Sequence, residues 1–156
     1  MNEYMMEAIR LSSENFEKRY GGPFGACVVK DGVIIGRGIN QVIKNCDPSA
    51  HAEVMAIRDA CKTINSHDLT GCELYTSCYP CPMCLSTIIW SNIKKVYYGN
   101  TKEDAEKIGF IDNYIYETID KLINGEESRL ELKCIDREET LKVFRKFEEK
   151  SDKKLY

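Results

Sequence analysis

The chain has 156 residues, 43% of them hydrophobic and 30% charged, with 22 Lys and Arg against 25 Asp and Glu. That length gives one globular domain with a sizeable core. The net charge of −3 leaves no basic stripe of the kind that grips phosphates, which argues against a nucleic-acid-binding domain. Basic residues near the end alternate with acids, as in Arg145-Lys146-Phe147-Glu148-Glu149-Lys150, and read as a solvated helix face.

The first twenty residues hold no uninterrupted apolar stretch and no small-residue cleavage site, so neither a signal peptide nor a membrane span is expected. A reducing, cytoplasmic setting follows, in which eight cysteines do not imply four disulfides. Cys27, Cys46, Cys61, Cys72 and Cys134 lack ligand spacing and read as small buried hydrophobes.

Met5, Met6, Ile9, Phe16 and Tyr20 mark an amphipathic first helix, ended by Gly21-Gly22-Pro23. Residues 24–30 read as a strand, Asp31-Gly32 as a two-residue hairpin turn, and residues 33–39 as the return strand. A loop follows over 40–50. Val54, Ile57, Ala60 and Cys61 then recur at helical spacing between His51 and Ile64. Short strands are expected at 72–76 and 95–99, with a helix from Pro82 to Trp90 between them. Strands alternating with helices predict an α/β layered domain whose later strands run parallel. Beyond residue 100 we expect helices near 102–108 and 113–123, a strand at 129–134 and a last helix near 137–150.

Two motifs carry the chemistry. His51-Ala52-Glu53 opens one helix, and Pro80-Cys81-Pro82-Met83-Cys84 opens another. His-x-Glu alone arises by chance and Pro-Cys-x-x-Cys alone is a moderate signal; in this order, with a helix and a strand between, they match the H-x-E…P-C-x-x-C signature of zinc deaminases. Pro82 fits a first helical turn, placing Cys81 at the helix start and Cys84 one turn on, on the same face. His51, Cys81 and Cys84 give zinc three protein ligands and leave a fourth position for water, the pattern of a catalytic site. Two helix N-termini aimed at the site favour thiolates there. Glu53, two residues past His51, is the natural proton shuttle. The competing reading closes the site with Cys78 as a fourth ligand, giving a structural knot without catalysis. His67 reads as a surface loop residue.

The chain resembles the cytidine-deaminase-like superfamily and, within it, the bacterial guanine deaminases. The similar stretches are Gly21 to Ala26, Asp47 to Val54, Leu74 to Cys78, Pro80 to Leu85, Gly109 to Asp112, Ile115-Tyr116 and Lys154 to Tyr156. The resemblance implies a three-layer α/β/α sandwich around a five-stranded mixed sheet, one domain over 1–156, and one zinc ion per subunit. It also implies a homodimer in which the C-terminal segment, about 126–156, swaps to cap the neighbour's site. The implied reaction is hydrolytic deamination of guanine to xanthine and ammonia. Glu53 and Asp112 would move protons. Asn40, the Ala52 N–H and Asp112 would hold the purine, Phe24 and Trp90 would pack against it, and Tyr156 would close the pocket. On residue type alone Phe24 and Trp90 are core aromatics, Asn40 a turn former, Asp112 a helix cap and Tyr156 a frayed end. Tyr79 departs from the Glu usual before Pro-Cys-x-x-Cys. It keeps open another small amino-heterocycle or nucleoside, such as guanosine, cytosine or an amino-triazine. A tRNA adenosine deaminase shares the zinc motif and is a further alternative.

Overall fold

The computed structural model describes residues 2–156, which form two compact units: residues up to Tyr116, and Glu117–Tyr156. The first unit runs α1 (Glu3–Lys18), β1 (Gly25–Lys30), β2 (Val33–Ile39), α2 (Val42–Asn45), α3 (Ala52–Ile64), β3 (Glu73–Cys78), α4 (Pro82–Trp90), β4 (Lys95–Asn100) and α5 (Lys102–Lys107). It ends within the first turn of α6 (Asn113–Ile123).

The strands form a sheet in the order β2-β1-β3-β4, with β1 antiparallel to both neighbours and β3 parallel to β4. Asp31 and Gly32 both take positive φ, 48° and 78°, as a tight hairpin turn between twisted strands requires. The sheet among the described residues has four strands, not the five expected. Residues 129–134 alternate apolar and polar but pair with no edge, and a strand exists only through its ladder.

Central strand β1 is buried on both faces. Cys27 and Val29 pack with Tyr75 of β3 and with Tyr4 and Met5 of α1, while Ala26 and Val28 join Ala52, Ala56, Ile57 and Ala60 of α3 and Ile88 of α4. The helices therefore cover both faces of the sheet. Glycines in β2 set how closely α3 lies: a Cβ on Gly38 would stand 2.1 Å from the Ala52 carbonyl oxygen. That close seating holds the N-terminus of α3 against the sheet.

Helix α1 corrects two expectations. Its buried positions are Ala8, Leu11 and Asn15, while Met6, Ile9 and Phe16 are exposed. It ends at Arg19 in the left-handed conformation, before the glycines. Asn15 is buried because its amide is engaged, donating to the carbonyls of Gly22 at 2.6 Å and Asn40 at 2.9 Å. Of the five scattered cysteines, Cys27 and Cys72 are buried as expected and Cys61 is half-buried, but Cys46 and Cys134 are exposed. Cys46 takes a left-handed C-cap after the short α2 helix, which lies within the expected loop 40–50.

The second unit holds the rest of α6, an irregular stretch, and α7 (Arg137–Glu148). Its apolar residues Leu130, Leu132, Ile135, Val143 and Phe144 are exposed. Among the described residues no helix is long and apolar enough to cross a membrane.

Candidate metal centre

Two helices begin at one place. His51 is the N-cap of α3 and Cys81 the N-cap of α4, each with extended backbone, and neither side chain caps its own helix. N-cap side chains ordinarily bond the first free N–H groups. Here both turn toward each other instead. The Sγ atoms of Cys81 and Cys84 each lie 3.6 Å from His51 Nδ1. Pro82 starts α4 at the position where a missing N–H costs nothing, and Cys84 follows one turn along the same face.

The donor set fits zinc. His51, Cys81 and Cys84 present ligand atoms that all lie within 4.8 Å of one another. Zinc–nitrogen and zinc–sulfur bonds of about 2.0 and 2.3 Å meeting at a tetrahedral angle place their ends about 3.5 Å apart, close to the 3.6 Å seen for both sulfurs. The positive ends of two helix dipoles offset thiolate charge. A hydrogen bond from Cys84, then the His51 ring, pulls the Cys81 thiol down. The Cys81 sulfur, then burial, pushes Cys84 up. The contact with Cys81 raises His51.

Cys78 is not one of this group. It is buried at the end of β3, with Sγ 3.6 Å from the Thr101 carbonyl oxygen, and burial pushes it up to about 11. The metal set is thus three-coordinate from the protein, which leaves the fourth position of a catalytic zinc. His67 is exposed and also outside the set.

Glu53 stands beside the ligands without joining them. It is 5% exposed, on the first turn of α3. Its Oε1 accepts from Thr76 Oγ1 at 3.1 Å, and its Oε2 accepts from Cys84 Sγ at 3.5 Å. Burial pushes its carboxyl above the ordinary range. A carboxyl placed this way readily takes and returns a proton.

The remaining expected residues divide. Asn40 is buried: its N–H donates to the Phe24 carbonyl at 3.2 Å, and its side-chain oxygen accepts from Val42 N–H at 3.2 Å. Ala52 is the first residue of α3, so its N–H has no partner within the helix. Phe24 meets Phe110 edge to face, centroids 4.9 Å apart. Gly109, with φ 97°, takes the left-handed turn that brings the chain off α5 into Phe110 and Asp112. Asp112 is half-buried, and burial and the Cys81 charge push its carboxyl up. Its charge in turn bears on His51 and Cys78. Trp90 is not brought to the centre: it ends α4, at the opposite end from Cys81, and is 68% exposed. Tyr156 lies in the second unit and is 89% exposed. The sequence reading missed Thr76, whose strand position carries no signal until α3 places Glu53 opposite it.

A ligand-poor zinc, a buried carboxyl beside it and helix N-termini behind it define a zinc-dependent deaminase centre, and the chain belongs to the cytidine and deoxycytidylate deaminase family. The model of that family's zinc-binding region matches residues 1–100. The chain is 44% identical over 153 residues to guanine deaminase of Bacillus subtilis, covering 98% of this chain and 97% of the relative. The X-ray structure of guanine deaminase from Bacillus subtilis superposes with a TM-score of 0.92 at 42% identity, covering 100% of this chain and 99% of that one. The tRNA-specific adenosine deaminase of Aquifex aeolicus is 43% identical over 98 residues, covering 62% of this chain and 64% of the relative.

Proposed function

We propose that this protein hydrolyses guanine to xanthine and ammonia. The observation that carries the reading is the reach of the likeness. Similarity to a guanine deaminase spans 153 residues at 44% identity, nearly the whole chain, whereas similarity to tRNA-specific adenosine deaminases spans 98 residues at 43% or 126 at 36%. Asp112 would offer its carboxylate to the donor edge of guanine, its N1–H and amino group. A base lacking those donors would leave a buried carboxylate unpaired, which disfavours it.

His51, Cys81 and Cys84 would hold zinc, which would lower the pKa of water and so make the nucleophile available. Glu53 takes a proton from that water and delivers it to ring nitrogen N3 while oxygen adds at C2. Glu53, with Asp112 assisting, then carries the proton of the new C2 hydroxyl to the amine, which leaves as ammonia as the C2 carbonyl of xanthine forms. Such acid–base help is typically worth about a hundred- to ten-thousandfold. Asn40 and the Ala52 N–H hold the purine, and Phe24 packs against its ring.

We further propose a homodimer in which the segment from about 126 to 156 exchanges between copies, adding residues 129–134 as a fifth strand and bringing Tyr156 to the partner's pocket. The alternation of Leu130, Leu132 and Cys134 with Glu131 and Lys133 supports a strand there, as do the exposed apolar residues of the second unit. Trp90 also reaches a base only through such an assembly. A cytoplasmic setting suits a site whose Cys81 and Cys84 must stay reduced.

The test is ammonia release by the zinc-loaded protein from guanine, guanosine, adenine, adenosine, cytosine and cytidine, each alone. Turnover confined to guanine supports the reading. Silence on guanine with turnover of another base, or salt-sensitive binding of tRNA in a gel shift, defeats it. Light scattering on the eluted protein reads the mass of the dimer.

A further inference from the structure

Beside the metal centre lies a group of side chains to which the proposed chemistry gives no part. Thr101 caps α5 through a reciprocal pair of bonds with Asp104, which fixes Lys102 on the helix's first turn. The Lys102 ammonium lies 4.4 Å from the centroid of the Tyr116 ring and 6.0 Å from that of Tyr79. Tyr79 is held in turn, its N–H donating to the Asn100 carbonyl at 2.8 Å and its ring packing edge to face on Tyr98. A cation over an aromatic face orders both partners. The Tyr116 ring is therefore a positioned element of the first unit.

Its hydroxyl is the anomaly. Tyr116 Oη is buried and, among the described residues, has no hydrogen-bond partner. Buried tyrosine hydroxyls ordinarily find one, because leaving the group unpaired is costly. The groups that act on this phenol are Asp112, Tyr79 and Cys81, a proposed substrate-binding residue, the neighbouring wall and a metal ligand. Burial and those neighbours push it up to about 12, so at neutral pH it is a hydrogen-bond donor.

We propose that Tyr116 is a further substrate-binding residue, its hydroxyl donating to the bound purine next to the atoms held by Asp112, and that Lys102 is the positioning residue that holds the ring. In guanine the N1–H and amino donors are flanked on either side by acceptors, O6 and N3. An acceptor (Asp112) and a donor (Tyr116) side by side match one donor and its flanking acceptor. This assignment rests on the guanine reading and makes the purine the missing partner of the hydroxyl.

The experiment is calorimetric titration of 8-azaguanine into zinc-loaded Glu53→Gln protein, with and without Tyr116→Phe, alongside thermal melting of both. Tyr116→Phe should weaken binding about three- to tenfold, the worth of one hydrogen bond. The melting temperature should hold or rise, because the hydroxyl removed is unpaired in the free protein. Lys102→Met should give a similar loss, and Lys102→Arg, which keeps a cation over the ring, should restore affinity to within about twofold. An unchanged Kd overturns the proposal. So does a fall in melting temperature alongside the lost affinity, which would make Tyr116 structural, or failure of 8-azaguanine to bind with Tyr116 intact. Failure of the guanine reading shows elsewhere, as no xanthine from guanine with the unmodified protein.

Discussion

Thr76 Oγ1 donates to Glu53 Oε1 at 3.1 Å, joining the middle of the sheet to the first turn of α3, and both residues are buried. The bond orients the carboxyl that stands beside Cys84 while leaving it apart from the metal ligands. Thr76→Val keeps the shape of the side chain and removes this donor. One such bond is worth about 1 kcal/mol, so kcat on guanine should fall about fivefold. KM and zinc content should stay near their original values. A kcat that does not move would show that Glu53 is oriented by something else.

The metal set makes a separate forecast. Cys84→Ser should abolish stoichiometric zinc binding, since a hydroxyl does not replace a buried thiolate ligand. Cys78→Ser should keep one zinc per chain, because Cys78 faces the Thr101 carbonyl and lies outside the ligand group. X-ray absorption at the zinc edge should report two sulfurs in both the unmodified protein and Cys78→Ser. Three sulfurs would restore the closed-knot reading. Stripping zinc with a chelator should lower the melting temperature, because the metal binds the folded ligand set and not the unfolded chain.

Much of this site was legible because its signals are local. Pro82 ahead of Cys84, Asp31-Gly32 between apolar strands and the periodic apolar residues of α3 each specify backbone on their own, and those elements appear within two residues of expectation. What escaped depends on contacts distant in sequence. Asn15 looks like a surface residue of α1 until Gly22 and Asn40 bring carbonyls to its amide. Thr76 and Tyr116 lie in stretches that carry the resemblance but with no role attached, Lys102 lies outside them, and all three acquire meaning only when α3, α5 and the turn after Gly109 converge. The expected strand at 129–134 has the right alternation, but alternation gives a face and not a pairing edge. Trp90 ends α4 at the opposite end from Cys81, so a contact with the base rests on the proposed dimer and not on this chain's own fold.

Acid stability should depend on Glu7. Its carboxylate bonds Arg10 at 2.7 and 3.0 Å and Arg37 at 2.7 Å, tying α1 to β2. The Arg10 hydrogen bond, with Arg37 adding to it, holds the carboxyl down to about 2 against an ordinary 4.5. A folded value below the unfolded one means that the stabilisation is complete above pH 4.5 and is lost as pH falls toward 2. Both arginines are about half exposed, so solvent screening keeps the net contribution to about 1 kcal/mol. Glu7→Gln should therefore unfold more easily at pH 7 by about that amount in urea titrations. The difference should shrink below pH 4.5. A gap that persists at pH 2 would show that packing, not charge, is what the substitution removes.

Asn15 links the stability of α1 to the base pocket. Its amide donates to two carbonyls, Gly22 on the approach to Phe24 and Asn40 at the end of β2. Leucine at this site would fill a similar volume and leave the Asn40 carbonyl buried without a donor, while the Gly22 carbonyl keeps the Phe24 N–H. The orphaned carbonyl costs about 1–3 kcal/mol, and with the bond to Gly22 also lost the total is about 2–3 kcal/mol. For a chain of this size that is a drop of roughly 5–10 °C in melting temperature. The same change frees the segment that fixes Phe24 and Asn40, the residues proposed to hold the base, while the metal ligands sit on other elements. KM for guanine should then rise several-fold with zinc content unchanged and kcat reduced less than KM is raised. Zinc loss in Asn15→Leu, measured by atomic absorption, would instead mean that the loop also supports the N-terminus of α3. Base binding and metal binding would then share one mechanical support.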